Sequence, residues 1–320
     1  MALLEVTDLK KYFPVRSGLF KKTTEYFKAV NGVSFSIEPE KTFGLVGESG
    51  CGKTTVGKAV LRLIEPTEGR IMLNGYDVTA MNNKDLCALR KDMQIIFQDP
   101  YSSLNPNMTV EALIAEPLKK HRLVSGRLEC REKVTELLNK VGLSKRDMEK
   151  YPHEFSGGQR QRIMIARALS VSPKLVVCDE PVSALDVSVQ AQILNLMQDL
   201  QEDMGVSYLF IAHGMPVVQH ISHQVGVMYL GNLVEIASSN EIFENCLHPY
   251  TQALMSAIPN PNPDQRADRI IVKGEVPSLV NPPPGCLFSN RCRYCTGHCR
   301  EEAPKLREVS PGHFVACHMV

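Results

Sequence analysis

The chain alternates between short, almost wholly apolar runs and longer stretches in which apolar residues recur every three or four positions. "TFGLVG" (42–47), "MQIIFQ" (93–98), "KLVVCDE" (174–180) and "VSYLFIAH" (206–213) are of the first kind. Near-continuous apolar runs of this length predict strands of a sheet covered on both faces. Between them the spacing turns helical. Val134, Leu137, Leu138 and Val141 fall at i, i+3, i+4 and i+7; Val189, Ile193, Leu196 and Leu200 nearly repeat that stripe before "MG" closes the helix. Both stripes are read as core-facing. Buried strands alternating with helices predict an α/β fold. After about residue 257 the pattern breaks. "IPNPNPDQ" and "VNPPPG" hold six prolines and suit neither helix nor strand, so the chain is expected to leave its main domain for a loop-rich tail.

Composition narrows the function classes. At roughly 100–200 residues per domain, 320 residues make one large domain or two smaller ones. Hydrophobic residues are 43% of the chain, enough for a core, and charged residues are 22%, which excludes a disordered tail as the whole protein. Lys plus Arg (36) nearly cancels Asp plus Glu (35), so the basic footprint of a nucleic-acid binder is missing and no nucleic-acid partner is expected. "MALLEVTDLKKYF" lacks a basic segment followed by a long apolar run, and no stretch approaches about 18 apolar residues. The expected compartment is the cytoplasm, where disulfides are a poor use for ten cysteines.

The chemistry starts at "GESGCGKTT" (47–55), which fits G-x-x-x-x-G-K-[ST] between an apolar strand and the helical "VGKAVLRLI". Glycines there let the backbone curl so that successive N–H groups face phosphate oxygens, and the following helix adds its positive end. Gly47, Glu48, Ser49, Gly50, Cys51, Gly52, Lys53, Thr54 and Thr55 are the candidate phosphate cradle. Lys53 is placed to reach the β- and γ-phosphates, and the Thr54 hydroxyl to ligate Mg²⁺. "LVVCDE" (175–180) ends an apolar strand in two carboxylates. Asp179 is the candidate support for Mg²⁺, and Glu180 the candidate base for the attacking water.

"FSGGQRQR" (155–162), placed just before a helix and about 20 residues ahead of "LVVCDE", resembles the signature of the ATP-binding cassette (ABC) ATPases. The resemblance spans residues 1 to about 250. It implies a P-loop NTPase fold of ABC type, with a mixed sheet core, an antiparallel β subdomain and a helical subdomain at about 99–170. It also implies roles. Gln98 in "IFQDP" looks like the glutamine that senses γ-phosphate and Mg²⁺, "SALD" (183–186) like the D-loop, and His213 in "FIAH" like the switch histidine. Phe13, with Tyr12 as the alternative, looks like the adenine-stacking aromatic. Ser156, Gly157, Gly158 and Gln159 would close over nucleotide held by a partner subunit. One departure is visible: Gly214 follows His213, where the family commonly has Asp.

"LKKYFPVRSGLF", "FQDPYSSLNP", "HPYTQAL" (248–254) and the tail resemble the second ATPase of dipeptide and oligopeptide importers. Nickel importers are close relatives and an alternative, and ABC ATPases of nucleic-acid repair a more distant one. The resemblance implies a second, non-identical ATPase subunit, two transmembrane permease subunits, an external peptide-binding protein reached indirectly, and a peripheral place on the cytoplasmic face of the membrane. It divides the chain into an ATPase domain, 1–257, and a cysteine-bearing extension, 258–320. In that extension the cysteines read C-x5-C-x6-C-x17-C at 286, 292, 299 and 317, with Cys295 extra. Tetrahedral zinc, an iron–sulfur cluster and unmetallated thiols all use such residues, with His298, His313 and His318 as substitute ligands. The importer resemblance implies a [4Fe–4S] cluster on Cys286, Cys292, Cys299 and Cys317; Zn²⁺ is the alternative. Cys51, Cys87, Cys130, Cys178 and Cys246 are scattered and read as small buried hydrophobes.

Overall fold

The computed structural model describes residues 2–16, 24–258, 269–280 and 282–320. Residues 259–265 of "IPNPNPDQ", 17–20 of "LKKYFPVRSGLF" and Asn281 of "VNPPPG" lie outside them. The chain opens with β1 (Leu4–Arg16), β2 (Thr24–Ile37), β3 (Thr42–Val46), α1 (Lys53–Val60), β4 (Glu68–Leu73) and β5 (Tyr76–Asp77). There follow α2 (Asn83–Leu89), β6 (Met93–Ile96), α3 (Pro100–Ser103), α4 (Val110–Lys120), α5 (Arg127–Lys140), α6 (Gly157–Leu169), β7 (Leu175–Asp179), α7 (Val187–Met204) and β8 (Ser207–Ala212). The last third holds α8 (Met215–Ile221), β9 (Gln224–Tyr229), β10 (Asn232–Ser238), α9 (Ser239–Asn245), α10 (Pro249–Ser256), α11 (Gly297–Glu301), β11 (Arg307–Ser310) and β12 (His313–Val315).

Two compact units result. The first comprises Met1–Leu3, Ile37–Thr42 and Ala80–Ile211. In it β6, β7 and β8 are parallel neighbours, Met93 facing Leu175 and Leu175 facing Ser207. Every residue of β7 and β8 is buried, as their unbroken apolar runs require. Helices α4, α5 and α6 pack through Leu113, Ile114, Leu118, Val134, Leu138 and Ile163, all with essentially no exposure. Thr109 starts α4 by accepting the Ala112 N–H, the hydrogen bond that the first turn of a helix otherwise lacks. The α5 stripe is buried at Val134, Leu137, Leu138 and Val141. The α7 stripe is rotated from its expected position. Ile193, Leu194, Met197 and Leu200 are buried, while Val189 and Leu196 are only half-buried. The reason lies at the C-terminal end of α7, where buried Gln201 faces inward too. Its amide donates to Val206 O at 2.9 Å and its oxygen meets Thr42 Oγ1 at 3.3 Å.

The second unit comprises Leu4–Ser36, Phe43–Thr79 and Ala212–Val320. One sheet runs β2-β1-β4-β5, with β1–β4 and β4–β5 antiparallel. A second, mixed run is β11-β12-β10-β9-β3, parallel at β3–β9 and antiparallel elsewhere. The tight β9–β10 turn uses Leu230 and Gly231 at φ 45° and 81°, the two positive angles that a right-twisted hairpin favours. The α/β fold class, with its mixed sheet, antiparallel sheet and helical region, is the one expected. The tail is less loop-like than expected, because its end folds as the β11–β12 hairpin and extends the sheet at β10. The reading of five scattered cysteines as buried also needs correction. Cys51, Cys130 and Cys178 are buried, but Cys87 is exposed and Cys246 half-buried. On α2 the inward positions are Leu86 and Leu89, and Cys87 falls on the opposite side.

Two buried polar groups tie this unit together. Glu235 on β10 has no exposure; it accepts the Leu247 N–H at 2.6 Å and the His248 N–H at 3.1 Å, and it meets His313 Nε2 of β12 at 2.8 Å. A carboxylate is kept in a core only when its oxygens are satisfied in this way. His248, equally hidden, caps α10 by accepting the Tyr250 N–H at 3.1 Å on Nδ1. Burial pushes its imidazole down to about 4. The folded state therefore resists a proton that the unfolded chain takes up below its ordinary pKa of about 6.5. Stability is unaffected above that value and falls as pH drops from it towards 4. We expect His248→Asn, which keeps a capping side chain, to remove about 1 kcal/mol of the stability lost between about pH 7 and about pH 5.5. Denaturant titration of both proteins at the two pH values measures it; equal losses would refute it.

Candidate functional site

In the second unit β3 runs into the loop 47–52 and α1 starts at Lys53. The loop's shape depends on three glycines. Gly47, Gly50 and Gly52 have φ of 153°, 78° and 106°, values that side-chain-bearing residues rarely adopt. Space is equally strict. A Cβ on Gly47 would lie 2.1 Å from Met228 O, and one on Gly52 2.1 Å from Ala29 O. Ser49 and Gly50 form the exposed crest, and Thr54 and Thr55 are half-buried in the first turn of α1. Lys53 is buried at 4% exposure and folds back under the loop. Its Nζ donates to Gly47 O at 2.7 Å and Glu48 O at 3.0 Å, and lies 3.4 Å from His213 Nδ1. The structure thus brings together the phosphate loop and His213, two features about 160 residues apart in sequence. Cys51 lies inside the loop. Burial raises its thiol pKa, partly offset by Lys53.

The two aromatic candidates on β1 differ. Tyr12 donates its hydroxyl to Asn31 at 2.6 Å and has Lys28 over its ring. Phe13 is 38% exposed, with Lys11 Nζ over its ring. Gly214 starts α8 with no side-chain cap, a position where an Asp would supply one.

The first unit gathers a different set. Asp179 ends β7 and Glu180 follows it, both buried. The Glu180 backbone turns into the left-handed region at φ 52°, which costs a residue with a side chain about 1–3 kcal/mol. The turn is held by its own N–H to Ile211 O at 3.0 Å and by the Ser183 N–H and hydroxyl on its carbonyl. Gln98 donates its amide to the Glu180 carboxylate at 2.7 Å. Just beyond, Asp99 caps α3 through the Tyr101 and Ser102 N–H groups, which hold its carboxyl below the usual range. The Arg160 guanidinium of α6 lies 3.8 Å from the centre of the Tyr101 ring.

Ser156 is the N-cap of α6. Its hydroxyl accepts the Gln159 N–H at 3.4 Å, and Gln159 Oε1 accepts the Ser156 N–H at 3.0 Å. Gln159 is therefore engaged in a capping box. Gly157 and Gly158 form the first turn. A Cβ on Gly158 would come within 2.6 Å of a Val189 methyl, so α7 passes too close for a larger residue.

The tail holds Cys286, Cys292, Cys299 and Cys317. Among the described residues no three His, Cys, Asp or Glu side chains converge on a single ion-sized point, so these four do not form a one-ion cage. They are nonetheless neighbours. Burial pushes the Cys286 thiol up to about 11, and the charges of Cys299, Cys292 and Cys317 add to the rise. Each sulfur also has a hydrogen-bond donor near it. Cys286, Cys292 and Cys317 accept the N–H two residues ahead, and Cys299 lies 3.3 Å from the Thr296 hydroxyl. Cys295 instead turns its thiol to Thr296 O. His298 and His318 stack on each other, with ring centres 4.2 Å apart.

Sequence reasoning missed the contacts that tie this tail to the phosphate loop. Arg291 pairs with Glu48, and Tyr250 of "HPYTQAL" accepts the Glu48 N–H at 2.9 Å. "HPY" marks an ordinary helix start with Pro249 in the first turn, and that start also delivers a hydroxyl to the loop.

These features agree with known proteins. The ABC transporter family matches residues 30–183, and the family "Oligopeptide/dipeptide transporter, C-terminal region" matches 234–299. The chain is 52% identical to the oligopeptide transport ATP-binding protein AppF of Bacillus subtilis (strain 168), over 99% of this chain and 97% of the relative. It is 49% identical to the dipeptide transport ATP-binding protein DppF of Haemophilus influenzae, over 98% and 96%. It is also 49% identical to the oligopeptide transport ATP-binding protein OppF of Escherichia coli (strain K12), over 98% and 95%. Among solved structures, a dimeric ATP-binding cassette in a post-hydrolysis state, bound to ADP and Pi, superposes with a TM-score of 0.64 at 25% identity, covering 74% of this chain and 98% of the other. The chain belongs to the ABC transporter ATPases, within their oligopeptide/dipeptide importer family. Among the described residues no helix is long and apolar enough to cross a membrane.

The tightest steric demand in the loop yields a test. Gly52→Ala would combine a left-handed backbone with a Cβ 2.1 Å from a carbonyl oxygen. We expect a stability loss of about 2 kcal/mol or more, together with lost ATP binding. Thermal unfolding and nucleotide titration check both; a variant that binds ATP as tightly as the parent would refute the steric reading.

Proposed function

We propose that this chain is the ATP-hydrolysing subunit of an importer that moves dipeptides or oligopeptides across the cytoplasmic membrane. The hydrogen bond from Gln98 to the Glu180 carboxylate carries the hydrolytic part, because it aims a buried carboxylate from a strained turn. Likeness to peptide-transport ATP-binding proteins over nearly the whole chain, tail included, supports the cargo. We assign residues 1–257 to the ATPase domain, with its helical signature subdomain at about 99–170, and 258–320 to the extension. The subunit works on the cytoplasmic face, with two membrane-spanning permeases and a second, non-identical ATPase.

Each residue then has a task. Phe13 offers its exposed face to adenine. The N–H groups of residues 47–55 and the Lys53 Nζ hold the triphosphate. Thr54, Asp179 and Gln98 would hold Mg²⁺, which supplies positive charge to the β- and γ-oxygens. Glu180 takes the proton of the attacking water, and His213 orients the γ-phosphate. Ser156, Gly157 and Gly158 present a helix N-terminus to nucleotide bound by the partner ATPase, so hydrolysis needs both subunits. Glu180→Gln keeps the hydrogen bond to Gln98 possible but removes the base. We expect kcat of the assembled transporter to fall by about 10²–10⁴ with ATP binding retained. Steady-state ATPase assays decide, and full-speed turnover would sink the assignment.

For the tail we propose a [4Fe–4S] cluster on Cys286, Cys292, Cys299 and Cys317. Zinc would draw four sulfurs around one ion at about 2.3 Å each, whereas a cluster spreads its thiolates over several irons. The nearness of the four sulfurs, each beside a hydrogen-bond donor, and the likeness of the tail to the importer C-terminal region support the cluster reading. When bound, the cluster would cross-link a segment with little core of its own. Anaerobically purified protein is expected to contain about four irons per chain and to absorb broadly in the visible. One zinc per chain, or no metal, would overturn this reading.

A further inference from the structure

Glu48 is the second residue of the phosphate loop and its only carboxylate. Three parts of the protein meet on it. Arg291 of the tail grips its side chain with both terminal nitrogens, Nη1 to Oε2 at 3.0 Å and Nη2 to Oε1 at 3.2 Å. Tyr250 of α10 accepts its N–H. Its carbonyl accepts Lys53 Nζ at 3.0 Å and the Cys51 N–H at 3.3 Å. Arg291 is thus one residue removed from the lysine that the loop exists to present. The guanidinium is itself hard to place. Its side chain is only 11% exposed, its Nε is buried without a partner, and apart from Glu48 it reaches Tyr229 OH at 3.3 Å. The rings of Tyr229 and Phe288 lie 5.8 and 5.9 Å from it. A desolvated cation with an unmet N–H is expensive, so the pairing with Glu48 is what keeps it there.

We propose that Arg291 is a positioning residue for ATP. It fixes Glu48, and through the Glu48 carbonyl it fixes Lys53. It also cancels the one negative charge in a loop that must receive a triphosphate. The planar fork suits this task, since two parallel bonds fix orientation as well as charge, which a lysine does not do. The cysteine-bearing tail is by this route part of the nucleotide site, with or without a metal. The inference rests on the ATPase reading and needs no cluster.

The test uses the full chain for MgATP binding and the assembled transporter for steady-state ATPase. Arg291→Met is expected to weaken MgATP binding and raise KM by about tenfold, the loss typical of a charge-assisted hydrogen bond, with kcat within about twofold. Adding Glu48→Gln should recover most of that loss by removing the carboxylate left unpaired. A role confined to holding the tail would lower active protein and kcat, and Glu48→Gln would rescue nothing. Binding by Arg291→Met within about twofold of the parent, or no recovery in the double variant, overturns the proposal. If Arg291→Met does not fold, Arg291→Lys decides. It keeps the charge and loses the fork, so affinity about threefold weaker is expected, and unchanged affinity overturns the proposal. A parent protein that neither binds nor hydrolyses MgATP would instead overturn the ATPase reading itself.

Discussion

A lysine folded beneath its own loop is the contact on which the rest of the site depends. Lys53 donates to the carbonyls of Gly47 and Glu48, so those carbonyls must point inward and the N–H groups between them must turn the other way. A peptide chain does this only if some residues take positive φ, and Gly47, Gly50 and Gly52 are the residues that allow it. Close neighbours make the arrangement rigid. Met228 O and Ala29 O occupy the space where side chains would go, and the Gly231 N–H holds Cys51 O at 2.9 Å. The hairpin turn between β9 and β10 is therefore a wall of the phosphate loop as well as a connection.

That wall is supported from behind. Glu235 lies on β10, and its carboxylate binds the residues that begin α10 together with His313 of the tail hairpin. The helix start then sends Tyr250 to the loop, while Tyr229, Tyr250 and Phe288 pack ring against ring between loop and tail. A buried carboxylate and an aromatic cluster make this part of the unit intolerant of small shifts. The tail is built into the second unit by a sheet extension and by an ion pair.

Much of this was legible in the sequence, and the failures have physical reasons. The buried strands of the first unit were clear because they are covered on both faces and carry no polar alternation. The phosphate loop was clear because its glycines answer a backbone demand that no other residue meets. The α7 stripe was misplaced because polar Gln201 turns inward to pair with Thr42, and periodicity counts only apolar positions. The tail hairpin was missed because "REVS" and "HFV" are short and "REVS" is mostly exposed and polar, although the intervening "PG" is a turn signal. Arg291 could not be found at all. Its partner lies 243 residues away, and no local spacing encodes a pairing made by tertiary packing.

The first unit holds a buried carboxylate on a strained turn. Glu180 sits in a backbone conformation that its side chain disfavours, and three hydrogen bonds at the turn hold it there. The same carboxylate accepts the amide of Gln98, whose neighbour Asp99 starts a four-residue helix. That helix places Tyr101 beneath Arg160, one turn into the helix that Ser156 caps. Glu180, Gln98 and the start of α6 are thus linked by short contacts within one compact unit. The cation–ring contact in that link joins an exposed Tyr101 ring to a buried Arg160, so it is worth more than the about 0.5–1 kcal/mol of a fully exposed pair.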